Sequence, residues 1–329
     1  MRYEEIFPWQ QPSWALFNQY LLQNRVPQAL LINGVKGLGK QQLARGFAKA
    51  LLCPQRLPSG QSCGQCDRCK LFKAQTHPDF ISLSPKEEAN VIGIDRIREL
   101  IIKLSLKPQF EAYRVVLVAP ADKLNKAAAN AFLKCLEEPN ERTCIILLTE
   151  TLSKLPATIL SRCQKMSLLK PSNDVANRWL IEQQVSEHRA LLLNLAQGAP
   201  LLAKDYAETN ILPLRQQCFS DWLNVATTQA NPIEIAEKWV KQSSPLIIFW
   251  LIAWVADLIK CFYQSKEINL YNPDLQQNLQ KLISQLNVRN LYHFYDKLLQ
   301  SQKRLDSQIN KQLMFEELLI LWAQLNQGN

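Results

Sequence analysis

The octapeptide Gly34-Val35-Lys36-Gly37-Leu38-Gly39-Lys40-Gln41 constrains this chain more than any other stretch. Its spacing, G-x-x-x-x-G-K, is that of a phosphate-binding loop, in which backbone N–H groups and a lysine cradle a nucleotide's phosphates. Such a loop joins a buried parallel strand to a helix, and both flanks fit. The apolar run Ala29-Leu30-Leu31-Ile32-Asn33 leads in, and Leu43 to Leu52 leads out with helical spacing. The last position departs from the pattern, because Gln41 stands where a Ser or Thr hydroxyl would hold magnesium. Gly34, Gly39 and Lys40 are therefore candidate phosphate contacts in a degenerate loop that is not expected to support hydrolysis.

A hydrolytic site also needs an apolar strand ending in acidic residues, which bind magnesium and orient water. Arg114-Val115-Val116-Leu117-Val118 is such a strand, but it runs into Ala119-Pro120-Ala121. Asp122 comes later and reads as a turn or helix-starting residue. Two metal-binding elements are thus missing from one chain, and ATP is expected to be unbound or unhydrolysed here.

Nine cysteines occur, and four of them cluster as Cys53, Cys63, Cys66 and Cys69. Two overlapping C-x-x-C steps bring three thiolates around a tight knuckle, and Cys53 can complete a tetrahedron of the closed type that structural zinc favours. A redox C-x-x-C pair or unliganded thiols are the alternatives. Cys135, Cys144, Cys163, Cys218 and Cys261 are isolated in apolar surroundings and read as core residues.

Strand-like runs at Ala29 to Asn33, Phe80 to Ser84, Arg114 to Ala119, Thr143 to Thr149 and Lys165 to Leu169 alternate with helical stretches, which predicts a parallel α/β sheet over residues 1–170. Residues 171–206 read as a small helical unit. Residues 207–329 read as an all-helical domain of amphipathic segments broken near Pro213, Pro232, Pro245 and Pro273. Within it, Pro245 to Val255 is apolar around most of its circumference and carries Trp250 and Trp254. Partial burial against a partner subunit is the expectation, with a central core helix as the alternative. The formal charge of +9 points to a polyanionic partner without locating a basic face. The N-terminus carries Glu4 and Glu5 and no signal-peptide pattern, and the apolar stretch Leu246 to Ala256 meets Asp257 before reaching spanning length. A cytoplasmic location and no membrane association are expected.

The phosphate loop, the cysteine cluster, Thr76-His77-Pro78-Asp79, the run Ala128-Ala129-Asn130-Ala131-Phe132-Leu133-Lys134-Cys135-Leu136-Glu137-Glu138-Pro139, and Leu155-Pro156-Ala157-Thr158-Ile159-Leu160-Ser161-Arg162-Cys163 follow one another in that order. Together they resemble the bacterial clamp-loader subunits of the AAA+ class. The motifs span Leu31 to Cys163, and the three-part layout extends the resemblance over the chain. It implies an AAA+ P-loop domain with a zinc-binding insertion (53–69), a helical lid and a helical collar. It also implies a place in a heteropentameric ring that spends ATP to open a sliding clamp and close it around primed DNA.

The degraded loop suits a non-catalytic stator, with motor subunits (tau/gamma), a clamp-opening delta subunit, the clamp and primed DNA as partners. In that family the arginine of the Ser-Arg-Cys motif, here Arg162, reaches across an interface to a neighbour's γ-phosphate. Thr149 matches the polar sensor at a strand end, or else is an ordinary strand residue, since Thr suits strands, and Leu201 stands where motor subunits carry a second sensor arginine. His77 is expected to be structural. Arg98, in Gly93-Ile94-Asp95-Arg96-Ile97-Arg98, is a candidate contact to the DNA backbone or else a solvated helix-face residue. Two other functions remain open at this point, an active motor ATPase of the tau/gamma type and a stand-alone zinc-dependent DNA-binding protein.

Overall fold

A computed structural model of the chain describes residues 6–85, 91–110, 113–138, 142–263, 270–284, 286–305 and 309–327. Glu4, Glu5 and Pro139 lie outside them. The chain divides into two compact units, Met1–Gln184 with Gly198–Leu202, and Val185–Gln197 with Ala203–Asn329.

The first unit starts with a 3₁₀ turn, Pro8–Gln10, and runs α1 (Gln11–Leu22), β1 (Ala29–Asn33), α2 (Lys40–Leu52), α3 (Asp67–Lys73), β2 (Phe80–Leu83), α4 (Ile94–Ser105), β3 (Arg114–Val118), α5 (Lys126–Glu137), β4 (Thr143–Thr149), α6 (Ala157–Leu160), β5 (Gln164–Ser167) and α7 (Asn173–Glu182). The strands form a parallel sheet in the order β2-β3-β4-β1-β5. The sequence places β1 and β4 at their observed bounds, and β3 ends one residue before the expected Ala119. β2 ends one residue earlier than expected, and β5 begins and ends earlier than the expected Lys165 to Leu169.

Alternate strand residues point to opposite faces. Leu31, Val116, Val118, Ile145 and Leu147 pack with Ile97 and Leu100 of α4 and Phe132 of α5 in one buried cluster. The connection leaving β1 runs toward β2, whereas that leaving β4 runs toward β5, so the strand order reverses between these two neighbours. An open α/β sheet offers its ligand crevice at such a point, outside the carboxyl ends of the strands. The phosphate loop follows β1 there, and Thr149 ends β4 beside it, paired with Asn33.

Two further devices fix this unit. Phe17 of α1 stacks on Phe47 of α2 with centroids 4.1 Å apart. The buried Asp79 accepts from the Gln109 and Phe110 N–H groups at 2.9 and 3.0 Å and lies 3.6 Å from Arg114, whose guanidinium donates to the carbonyls of Lys103 and Leu106 at the end of α4 and just past it. His77 Nδ1 accepts from the Asp79 N–H at 3.1 Å, in keeping with the structural part expected of this turn.

The second unit is helical: α8 (Arg189–Leu195), most of α9 (Pro200–Glu208), α10 (Ile211–Ala226), α11 (Pro232–Val240), α12 (Ser244–Phe262), α13 (Gln276–Ile283), α14 (Val288–Arg304) and α15 (Lys311–Asn326). The expectation that α12 is partly reserved for a partner subunit is corrected here. Trp250 and Trp254 are 1% and 0% exposed within their own unit, in a core shared with Trp222, Trp239, Phe315 and Trp322. An apolar helix reads alike in a core and at an interface, and the flanking helices decide between them.

Nor does the apolar helix stop at Asp257, as its sequence suggests. α12 continues through Asp257 to Phe262 and is long and apolar enough to cross a membrane by length and composition alone. It is nevertheless the packed centre of a helical unit. Its Asp257, 0% exposed, accepts from the Tyr271 and Asn272 backbone N–H groups at 2.8 and 2.7 Å and from Asn272 Nδ2 at 2.8 Å.

Candidate functional site

The phosphate loop leaves β1 with Gly37 and Gly39 at φ +83° and +80°, a left-handed backbone that favours glycine. α2 starts at Lys40, whose ammonium folds back to donate to the carbonyls of Gly34 at 2.7 Å and Val35 at 2.9 Å. Burial lowers its pKa, while the nearby charges of Glu150, 3.9 Å away, and Asp122 oppose that shift.

The loop is covered by the chain's own residues. Trp9 Nε1 donates to Leu38 O, and Gln10 Nε2 donates to both Leu38 O and Gly39 O, all at 2.9 Å. A Cβ on Gly39 would lie 2.6 Å from Gln10 Nε2 and 2.9 Å from the Phe7 ring. Phe7 stacks on Trp9, and Trp179 meets both rings edge to face. On another side the Leu201 N–H donates to Gly37 O at 3.1 Å. Leu201, which supplies no sensor guanidinium, thus touches the loop through its backbone.

Thr149 is buried, and its hydroxyl donates to an Asp122 carboxylate oxygen at 2.9 Å. Asp122 lies in a 3₁₀ turn, Ala121–Lys123, as its turn reading anticipates, but its carboxylate also enters the crevice. Gln41 and the Ala119-Pro120 pair supply neither hydroxyl nor carboxylate. Thr149 thus has a protein partner within the crevice.

Arg162 stands away from this crevice. It follows α6 and is 36% exposed, with Nη2 2.7 Å from a Glu137 carboxylate oxygen and Nη1 donating to Thr158 O at 3.0 Å. Arg98 lies in the first turns of α4, exposed, and pairs with Asp95 at 3.1 Å.

The four clustered cysteines come together, and their Sγ atoms all lie within 4.8 Å of one another. Three separations are 3.6, 3.9 and 3.9 Å, too long for disulfides. A tetrahedron with metal–sulfur bonds of about 2.3 Å has edges of about 3.8 Å, so this donor set fits a metal ion. Cys53 caps α2, Cys66 caps α3, and Gly64 between them takes φ +75°. Hydrogen bonds from the Cys66 and Gln65 N–H groups hold the Cys63 thiol down at about 6, whereas burial pushes Cys53 and Cys69 up.

Sequence reasoning found the loop and the knuckle because their spacing is local. It missed Trp9 and Gln10, which reach the loop across 28 and more residues without any motif of their own, and it assigned no part to Glu137.

Against known families, residues 9–172 match the model described as DNA polymerase III, delta subunit, and residues 210–324 match the C-terminal model of the same description. DNA polymerase III subunit delta' of Pseudomonas aeruginosa is 32% identical over 98% of each chain. The protein of the same name from Escherichia coli is 30% identical over 95% of this chain and 94% of its own. DNA polymerase III subunit tau/gamma of Haemophilus influenzae is 35% identical, but over 56% of this chain and 25% of its own length.

Proposed function

This chain belongs to the DNA polymerase III delta-prime family, and from that premise we propose that it is the non-catalytic stator of the replicative clamp loader. The observation that carries the reading is the state of the phosphate loop. Gln41 replaces the magnesium-binding hydroxyl, no carboxylate ends β3, and Lys40 is engaged by carbonyls of its own loop. With Phe7, Trp9 and Gln10 over the loop, ATP is neither bound productively nor hydrolysed by this subunit. A motor role fits less well, because the tau/gamma relative is matched over a quarter of its length and the delta' relatives over nearly all of theirs.

The stator acts through what it presents. Arg162 is the arginine finger that enters the ATP site of an adjoining motor subunit, where a planar guanidinium stabilises charge developing on the transferred phosphoryl group. Its exposure beside α6 supports that part. Residues 1–170 form the AAA+ domain, 171–206 the lid and 207–329 the collar that holds the ring. The tau/gamma and delta subunits, the sliding clamp and primed DNA are its partners, in the cytoplasm. Arg98, exposed on α4 with Nη1 paired to Asp95, meets the DNA backbone. Zinc is the metal of the four cysteines, since a closed all-thiolate tetrahedron on a knuckle suits it.

Reconstitution tests this reading. Tagged chain should co-purify with motor and delta subunits, and Arg162→Ala should assemble normally while lowering DNA-stimulated ATP turnover in part, because other sites keep their own arginines. Normal assembly with unchanged turnover would leave the chain a scaffold alone.

A further inference from the structure

We propose that Glu137 positions the Arg162 guanidinium for the neighbouring subunit's nucleotide, an inference that rests on the arginine-finger reading above. Glu137 is the last residue of α5, and Arg162 lies just past α6. The residues that fix their backbones are buried in one apolar cluster, Cys135 and Leu136 on α5, with Ile159 and Cys163 around the arginine. Two charged side chains are thus presented from adjoining, packed supports. Nη2 of Arg162 meets the Glu137 carboxylate at 2.7 Å, and Nη1 donates to Thr158 O at 3.0 Å and Ser161 Oγ at 3.4 Å. Both amino ends of the guanidinium plane are tied.

The end of α5 is the negative pole of its helix, where a glutamate is disfavoured and a cation is welcome. The Arg162 pairing offsets that cost. For the arginine, the same contact narrows the rotamers of a long side chain before any nucleotide arrives. The pair is half-exposed, so it is weak enough for a phosphate, with its greater charge, to draw the guanidinium onward. Glu137 therefore orients the finger without trapping it, and removing the carboxylate leaves the guanidinium intact but held through Nη1 alone.

The test is DNA-stimulated ATPase of the fully reconstituted loader, with kcat and KM for ATP measured for unmodified chain, Glu137→Ala, Glu137→Gln, Arg162→Ala and the Glu137→Ala/Arg162→Ala double variant. Glu137→Ala should lower the arginine-dependent part of kcat by up to about fivefold, the factor that ~1 kcal/mol commands, and KM should move less. Glu137→Gln, which keeps an acceptor oxygen, should recover part of the loss. In the Arg162→Ala background Glu137→Ala should change nothing further. Full kcat in Glu137→Ala alongside a fall in Arg162→Ala would overturn this inference and leave the finger standing, as would a double variant slower than Arg162→Ala alone. Full kcat in Arg162→Ala would overturn the finger reading, and this inference with it.

Discussion

Lys40 retains the charge of a phosphate-binding lysine, yet its ammonium is held by Gly34 and Val35 carbonyls beneath a cover of N-terminal side chains. Gln41, one residue on, shows the same loss in the sequence itself. Thr149 donates to Asp122, a hydrogen bond within the protein at the end of β4. His77 gives a pH prediction. Burial lowers its pKa from the usual 6.5, so below that value the unfolded chain binds a proton that the folded chain refuses, and stability falls as pH drops. The pH dependences of unmodified chain and His77→Gln in denaturation should run parallel above pH 6.5 and diverge below it, the variant losing less on acidification. Equal slopes for the two proteins would remove His77 from the account. A second prediction separates charge from shape at the finger. Arg162→Lys keeps a cation but loses the planar fork, and its DNA-stimulated turnover should lie closer to Arg162→Ala than to the unmodified loader.

At the scale of elements, the knuckle and α12 differ in how far their sequences disclose them. The spacing of Cys63, Cys66 and Cys69 is local, and Cys53 follows a helix that the loop motif already announces, so the thiol cluster is legible in the sequence alone. Removing the metal should loosen this segment first. Chelation is expected to raise amide exchange across residues 53–76 while α10 to α15 keep their protection, because metal binding is coupled to local folding; uniform exchange with and without chelator would count against a bound metal. Asp257 could not be read the same way, since its partners Tyr271 and Asn272 lie 14 and 15 residues away on a segment with no motif. A charge in an apolar helix looks like an end to it; here it is an anchor for the returning chain. Asp257→Ala should cost about 3–5 kcal/mol in urea denaturation, as buried N–H donors and Asn272 lose their acceptor. A loss under ~1 kcal/mol would mean that water replaces the carboxylate.

For the molecule as a whole, the parallel sheet and the helical remainder were legible because strand and helix periods alternate and then cease to alternate near Lys170. The loop motif located the crevice, since a phosphate loop fixes β1 and its switch point together. The covering of that crevice was not legible. Trp9, Gln10 and Leu201 converge on it from distant parts of the sequence, and only the fold brings them together. Their convergence and the two missing magnesium ligands lead to one central claim, that this subunit serves the ATP cycle without running one. The most direct measurement is ATP turnover by the purified chain, together with clamp loading by the reconstituted complex carrying Lys40→Ala. The account predicts no turnover above background and loading at the unmodified rate once assembly of the variant is verified. Turnover that depends on Lys40 and rivals that of the motor subunits would contradict it.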